Sequence, residues 1–174
     1  MSAQHFIGGT IPERFVEVDA ARLLLILVRF ARPLDTEACS LRCLPPHPVS
    51  GHFTPEYYLH KLDFLLRYPD YFAYELIELH RLKIVVAANR DEIRKLVRTI
   101  LRDREPELMT TPFRRFWRGA YERIDAVESW LHSRELVYTG LEPRGNTSSQ
   151  KHYFTTDQAR VTAERLVVEV SESR

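Results

Sequence analysis

A change of hydrophobic period near the carboxyl end constrains the fold more than any other feature of this sequence. Apolar residues recur at helical spacing over residues 121–134, and two runs of extended character follow at 136–138 and 152–154. A polar loop over residues 143–150 separates these runs, and a helical pattern resumes after them. This order predicts helix, strand, loop, strand and helix, with the strands paired as a β-hairpin. The inward residues of the first helix are predicted to be Ile124, Val127, Trp130 and Leu131.

The predicted hairpin is too small to be stable alone in water, so it must pack on helices. We expect Leu136, Tyr138 and Phe154 to pack against the helices that precede it. Thr155 or Thr156 is predicted to cap the last helix. That helix should bury one stripe of residues, namely Ala159, Ala163, Leu166 and Val167. A helix, a hairpin with a basic tip and a closing helix have the sequence shape of a winged helix.

The amino-terminal part is predicted to contain one buried helix between two irregular segments. Residues 1–18 contain two glycines and a proline, so we expect an extended arm. Asp19 is predicted to cap a helix over residues 20–31, which is apolar nearly all round and should be the most buried element. Residues 33–55 hold five of the ten prolines, so we expect a long loop with one helical turn over 37–44.

A helix, a proline-marked corner and a second helix are predicted over residues 54–79. Thr54-Pro55-Glu56 is a helix start, because proline suits the first turn and an acid suits the positive end of the helix dipole. Pro69 breaks this helix and the next one follows directly. Asp63 lies among apolar residues, and we expect it to pair with Arg67 one turn later.

One more helix is predicted from Asn89 or Asp91 to about Arg104. Its buried stripe is expected to consist of Ile93, Leu96, Val97, Ile100 and Leu101.

The chain of 174 residues and 20.5 kDa is predicted to form a single domain over residues 1–174. Residues 1–88 would provide the arm, the Pro-rich loop and a helical part, and residues 89–174 a winged-helix-like part. We therefore expect a mostly α fold with a small β-hairpin, whose winged-helix-like carboxyl-terminal half packs on amino-terminal helices. With 44% hydrophobic and 28% charged residues, the composition is typical of a globular protein with a core.

The compartment is predicted to be the cytoplasm. The longest wholly apolar stretch, residues 23–28, is far shorter than a membrane span, so no membrane contact is expected. The amino terminus lacks the basic and apolar regions of an export signal, and two cysteines suit a reducing compartment.

Arginine dominates the basic residues, with 21 of the 25. Arg-rich chains suit interfaces because guanidinium forms forked hydrogen bonds with carboxylate and phosphate, although a GC-rich genome gives the same bias. Cations alternate with aromatic residues over 113–121, as they often do on nucleic-acid surfaces. The candidate contacts to a partner protein or to DNA phosphates are Arg114, Arg115, Trp117 and Arg118, with Arg144 and Lys151 on the wing. For the aromatic residues, ordinary core packing is the alternative.

A DNA-binding transcription regulator with a winged helix is the alternative function. Such a regulator inserts the helix before the hairpin into the major groove. Here that helix is predicted to expose Glu122, Asp125 and Glu128 against Arg123 alone, and these carboxylates would repel phosphates. An interaction with a protein partner carries no such penalty.

No recognised catalytic or cofactor-binding motif occurs in the sequence. The phosphate-binding, dinucleotide, metalloprotease and hydrolase motifs are all missing, so we predict a non-enzyme without a cofactor. A structural zinc site is a further alternative, because soft and borderline ligands recur every three or four residues in the Pro-rich loop. Its ligands would be Cys39, Cys43, His47 and His52. The common CxxC spacing is absent, and reduced thiols beside solvent-facing imidazoles account for the same pattern.

Three segments resemble the middle components of ABC three-component defence systems of the Lamassu type. They are KLDFLLRYP at 61–69, FRRFWRGAYERIDAVESWLHSRELV at 113–137 and YFTTDQARVTAERL at 153–166. The chain has Arg118-Gly119-Ala120-Tyr121 where the family has a Gly-Pro-Trp-Asp-like run, and the Pro-rich loop is an additional departure.

The resemblance implies a non-enzymatic adaptor in antiphage or antiplasmid defence. Such an adaptor docks on an SMC-like ABC ATPase and couples it to an effector, often a nuclease. The ATPase, rather than this chain, would bind nucleotide and sense DNA, and non-specific DNA contact by this chain would be secondary.

Overall fold

The computed structural model describes residues 13–34, 42–84, 90–102, 124–145 and 148–172. In these residues the fold is mostly helical with a small antiparallel sheet of four strands. The elements in chain order are α1 Glu13–Phe30, β1 Arg32–Pro33, β2 Gly51–Phe53, α2 Glu56–Arg67, α3 Pro69–Arg81, α4 Arg90–Arg102, α5 Asp125–Ser133, β3 Val137–Arg144, β4 Ser148–Thr155 and α6 Asp157–Glu172.

The sheet has the strand order β1-β2-β4-β3, and every neighbouring pair is antiparallel. The predicted hairpin is confirmed as β3 and β4, with Tyr138 opposite Phe154. Its strands are longer than predicted, because Pro143 and Ser149 pair inside the segment expected to be a loop. The expectation of a long loop over residues 33–55 is wrong in part, since Pro33 belongs to β1 and Gly51–Phe53 form β2. Most of the helical turn expected over 37–44 lies outside the described residues.

The pairing of β2 with β4 joins distant parts of the chain. Phe53 lies opposite Tyr153, and the two rings meet edge to face with centroids 6.4 Å apart. The sheet therefore crosses the predicted boundary between residues 1–88 and 89–174. Neither strand of the β1–β2 pair shows an apolar alternation of useful length, which is why the sequence pattern did not indicate them.

The hydrophobic core lies where α1 crosses α5 and α6 on one face of the sheet. Helix α1 buries its centre as predicted, and it packs against α2, α5 and α6. The core side chains include Leu23, Leu24, Ile26, Leu27, Val127, Leu131, Ala159 and Ala163. The inward residues predicted for α5 and the alanines predicted for α6 are confirmed, but Val167 is exposed.

Helix α1 begins earlier than predicted, at Glu13, so residues 13–18 are helical rather than part of an extended arm. Asp19 therefore lies inside the helix, where its carboxylate pairs with Arg22 instead of capping the helix start. Thr156 caps α6 as predicted, because its hydroxyl oxygen accepts a hydrogen bond from the backbone N–H of Ala159.

The proline-marked corner is confirmed, since α2 ends at Arg67 and Pro69 begins α3. Helix α4 packs chiefly on α3, and Ile93 is its buried residue. The predicted stripe of α4 is partly wrong, because Leu96 and Leu101 are 44% and 59% exposed. Among the described elements, α3 is the main neighbour of α4, and one helix is too narrow to cover the whole apolar face of α4.

The second face of the sheet carries His52, Tyr138, Phe154 and Gly140, because side chains alternate along paired strands. The Pro-rich segment approaches this face, where the His47 ring stacks on Tyr138. The expectation that Tyr138 and Phe154 pack against the preceding helices is therefore only partly correct: Tyr138 meets His132 of α5 edge to face, but its stacking partner comes from the Pro-rich segment.

Candidate functional site

Four of the six predicted contact residues lie outside the described residues, namely Arg114, Arg115, Trp117 and Arg118. Arg144 is exposed at the end of β3, and its carbonyl oxygen accepts a hydrogen bond of 2.6 Å from the Ser148 hydroxyl. Gly145 follows it with φ of +67°, a conformation that glycine adopts at little cost. The hairpin therefore presents one described cation near its tip.

Lys151 lies in the middle of β4, opposite Leu141, rather than at the hairpin tip. Its ammonium donates hydrogen bonds to both carboxylate oxygens of Glu128, at 2.6 and 2.5 Å, and lies 3.3 Å from Glu56 Oε1. Burial opposes the charge on Lys151, but the hydrogen bonds and attraction of Glu128 and Glu56 outweigh it and raise its pKa. Because this charge is compensated within the chain, we leave Lys151 out of the proposed contacts.

The hydroxyl of Tyr153 completes this polar cluster, donating to Glu128 at 2.8 Å and lying 3.2 Å from Glu56 Oε1. Burial raises the pKa of Tyr153, and the two neighbouring carboxylates raise it further. Both donors are directed at carboxylates of the same chain. The cluster therefore ties the start of α2, α5 and β4 together, and we assign it a structural role.

The prediction that Glu128 lies on the exposed face of α5 is wrong, because its carboxylate points towards the sheet and pairs with Lys151 in this cluster. The other acid of that face in the described residues, Asp125, is exposed. Arg134, just after α5, stacks its guanidinium over Trp130 at 3.6 Å from the ring centroid. The described part of α5 therefore exposes an acid and no lysine or arginine.

Three of the four predicted zinc ligands, Cys43, His47 and His52, lie in the described residues. His47 stacks on Tyr138 with ring centroids 4.4 Å apart, whereas His52 Nε2 lies 2.8 Å from His152 Nδ1. Cys43 lies beside Gly140, and Cys39 is outside the described residues. In the part of the chain that the structure describes, no group of three or more His, Cys, Asp or Glu side chains is placed to hold a metal ion.

Helix α3 exposes an apolar stripe that the sequence analysis did not single out. Tyr71, Tyr74 and Ile77 recur three residues apart and are 49%, 63% and 47% exposed. The corner residues Phe64 and Tyr68 support Tyr71, with ring centroids 5.3 and 6.2 Å from it. This α3 apolar stripe has the aromatic composition that is enriched at the centre of protein interfaces.

Helix α4 exposes a basic stripe that the sequence analysis also missed. Arginines recur every four residues along this helix, and residues four apart lie on the same face. The stripe consists of Arg90, Arg94, Arg98 and Arg102, with Lys95 beside them, and all five are exposed. The spacing of four is the signal that identifies this stripe in the sequence. The prediction for this helix rested instead on the period of its apolar residues.

Comparison of the chain with protein-family models, with curated proteins and with solved structures gives no match. Within the described residues, no helix combines the length and the apolar character needed to cross a bilayer. Two exposed stripes, one on α3 and one on α4, are the surface features of the described residues that suit a binding partner.

Proposed function

We propose that this chain is a non-enzymatic adaptor subunit. It docks on an SMC-like ABC ATPase and couples DNA sensing to an effector nuclease in antiphage or antiplasmid defence. The observation that carries the proposal is the α3 apolar stripe of Tyr71, Tyr74 and Ile77. Large apolar side chains that are exposed in a row are a cost in water unless a partner covers them.

The position of this stripe within the fold supports the proposal. It begins directly after the proline-marked corner, which belongs to one of the segments that resemble the Lamassu middle components. The corner is fixed by the buried Asp63–Arg67 ion pair of 2.8 Å and by the Phe64–Tyr71 contact. A rigid corner holds the stripe in one orientation, which lowers the entropy that docking would cost.

A winged-helix architecture is part of the proposal. Strand β2, which follows α1 and the two-residue β1, pairs with the second hairpin strand, β4, as the first strand of a winged helix pairs with its last. Helices α3 and α4 would then be an addition to that core. The alternative, a DNA-reading regulator, is weaker because described α5 exposes Asp125 and no lysine or arginine towards a groove.

Copurification with an SMC-like ABC ATPase, sought among the products of neighbouring genes, tests the proposal. Tyr74→Ser combined with Ile77→Ser should reduce recovery of the ATPase at least tenfold. Val167→Ser combined with Val168→Ser is the matched control, because these α6 residues are also 57% and 53% exposed. This control should copurify like the natural chain, and Arg115→Glu with Arg118→Glu tests the predicted cationic contacts in the same assay.

Two results would contradict the adaptor assignment. One is a chain that forms no complex with the ATPase, and the other is an α3 variant that copurifies as well as the α6 control. A gel shift that shows tight binding to one DNA sequence by the isolated chain would favour the regulator instead.

A further inference from the structure

We infer that α4 binds the phosphodiester backbone of duplex DNA without reading base sequence. The contacts are four cations of its basic stripe, namely Arg94, Lys95, Arg98 and Arg102. This inference goes beyond the proposed function, in which the ATPase senses DNA. It gives a DNA contact to this chain itself, on a surface separate from the α3 apolar stripe.

The local charge of α4 is the first observation. Over residues 94–102 the helix carries four cations and no acid, because both acids of α4, Asp91 and Glu92, lie in its first turn. Arg94 approaches Asp91 at 3.8 Å, and its side chain remains 55% exposed. This surface is therefore strongly positive although the whole chain has a net charge of only +1.

Two of the three acids of the neighbouring helix α3 are engaged elsewhere. Glu75 accepts a hydrogen bond of 2.8 Å from Lys61 of α2. Glu78 pairs with Arg81 of its own helix at 2.9 Å. The third acid, Asp70, is exposed in the first turn of α3. Glu75 and Glu78 are therefore directed to other cations and contribute little neutralising charge to the α4 stripe.

The composition of the surface distinguishes DNA from a protein partner. A shallow surface groove along α4 is lined by charged residues and one hydroxyl, namely Asp91, Arg94, Lys95, Arg98, Thr99 and Arg102. Centres of protein interfaces are depleted in charged residues and enriched in aromatic ones, whereas DNA-binding surfaces are polar and strongly positive. By the same criterion, the α3 apolar stripe suits a protein and α4 suits a polyanion.

The spacing of the stripe matches a regular array of phosphates. Arginines four residues apart rise by about 6 Å per step, so Arg94 to Arg102 spans about 12 Å along the helix. That length corresponds to about three to four phosphates of one strand at 3.4 Å each along the duplex axis. Guanidinium binds phosphate in a forked geometry. Described α4 has no Asn or Gln for reading adenine. With its guanidinium groups bound to phosphates rather than to base edges, binding should be independent of sequence.

Fluorescence anisotropy with a labelled 20-base-pair duplex of arbitrary sequence tests the inference on the full chain without the ATPase. The natural chain should bind with a slope of log K against log salt of about −3 to −4 between 50 and 200 mM salt. The triple variant Arg94→Gln, Arg98→Gln and Arg102→Gln should bind at least tenfold more weakly. The slope of log K against log salt for this variant should be less negative than that of the natural chain by about 2 to 3, because three cations are removed.

A triple variant on other helices controls for loss of net charge. Arg29→Gln, Arg160→Gln and Arg165→Gln remove the same charge from exposed positions on α1 and α6. This control should keep at least half of the natural affinity, and circular dichroism melts should confirm that both triple variants fold. The α3 variant Tyr74→Ser with Ile77→Ser should bind DNA normally, so failure of the adaptor proposal and failure of this inference are distinguishable.

Three outcomes would overturn the inference. They are no binding by the natural chain at 50 mM salt, an equal loss in the two triple variants, and competition by poly-glutamate as effective as by unlabelled duplex at equal charge. The last outcome would assign the stripe to an acidic polypeptide instead of a phosphodiester backbone.

Discussion

Asp63 connects two helices by accepting hydrogen bonds from two arginines. Arg22 Nε on α1 donates to one carboxylate oxygen at 2.6 Å, and Arg67 donates to the other at 2.8 Å. Arg22 also pairs with Asp19 at 2.6 Å, and the three central side chains are 5% exposed or less. Removing all three charges from water is costly, and the directed hydrogen bonds offset that cost.

Replacing Asp63 with Asn should therefore destabilise the protein strongly. The variant keeps the shape of the side chain but removes the negative charge that two buried guanidinium groups share, while Arg22 keeps its pair with Asp19. We expect the free energy of unfolding to fall by about 3 to 5 kcal/mol in urea titrations. Glu164→Gln, which breaks the exposed Arg160–Glu164 pair, is the control and should cost about 0.3 to 0.5 kcal/mol. Equal effects of the two substitutions would refute a central role for the buried network.

His52 gives the stability of the protein a dependence on pH. Its pKa lies below the usual value because burial disfavours the charged form, and the nearby His152 and Arg32 lower the pKa further. Glu142 partly opposes this effect. His52 also stacks on His152 and Phe154, so its ring is held on the face of the sheet away from the main core.

The free energy of unfolding should decrease as pH falls from about 7 to below 6, because the unfolded chain then binds a proton that folded His52 does not. His52→Gln removes this contribution, so its free energy of unfolding should depend less on pH than that of the natural chain does. The loss of ring stacking in this variant lowers stability at every pH and does not change that comparison. His80→Gln on α3 should leave the His52 contribution in place. Urea unfolding at a series of pH values measures both, and parallel profiles for His52→Gln and the natural chain would contradict the prediction.

At the scale of elements, the contact between β3 and the Pro-rich segment depends on one glycine. A Cβ atom added at Gly140 would lie 2.3 Å from the carbonyl oxygen of Cys43 and 2.9 Å from its Cβ. The backbone of Cys43 must move to make room, and the adjacent stacking of His47 on Tyr138 would move with it. Gly140 therefore permits the Pro-rich segment to cover the second face of the sheet.

Gly140→Ala should lower the free energy of unfolding by about 1 to 3 kcal/mol, as overpacking against backbone does elsewhere. Gly145→Asn is the matched control in the same strand pair, because nothing lies within 4 Å of the added Cβ and Asn tolerates its φ of +67°. The control should change stability by less than about 0.5 kcal/mol. Chemical denaturation of both variants measures the difference, and similar losses would show that the close approach at Gly140 is unimportant.

Elements with a sustained period were predictable from the sequence, and those without one were not. The buried centre of α1 follows from an apolar run of six residues, the hairpin from a change of period between two helical patterns, and the corner from a proline between two others. Strands β1 and β2 have two and three residues, and only their pairing with β4 stabilises them. On α4, the apolar period correctly indicated a helix, but it could not show that a single helix covers that face.

Contacts between distant residues account for the rest of what the sequence did not reveal. Asp63 was expected to pair with Arg67, which is correct, but Arg22 lies 41 positions away in sequence. Lys151 looked like a cation of the wing tip because its pairing with Glu128 depends on how β4 faces α5. Of the candidate surfaces, the sequence could have indicated the basic stripe of α4, through the four-residue spacing of its arginines.

At the scale of the whole molecule, the structure separates a stable core from a surface-bearing periphery. Helix α1 packs against three helices and buries Leu23, Leu24, Ile26 and Leu27. Helix α4 carries the basic stripe and has Ile93 as its buried residue. Because described α4 buries few apolar side chains, its free energy of local opening should be low. The basic stripe therefore lies on a helix of low local stability.

Amide hydrogen exchange of the native full chain should show this gradient directly. Amides of α1 should exchange near the rate set by global unfolding and be at least about 100-fold more protected than those of α4, which opens locally. Adding duplex DNA should slow exchange in α4 and leave α1 unchanged, because a ligand stabilises only the state that it binds. Mass spectrometry of peptides from α1 and α4 distinguishes the two helices within one experiment. Equal protection of α4 and α1 without DNA would mean that α4 belongs to the cooperative core, and its basic stripe would then lie on a rigid surface.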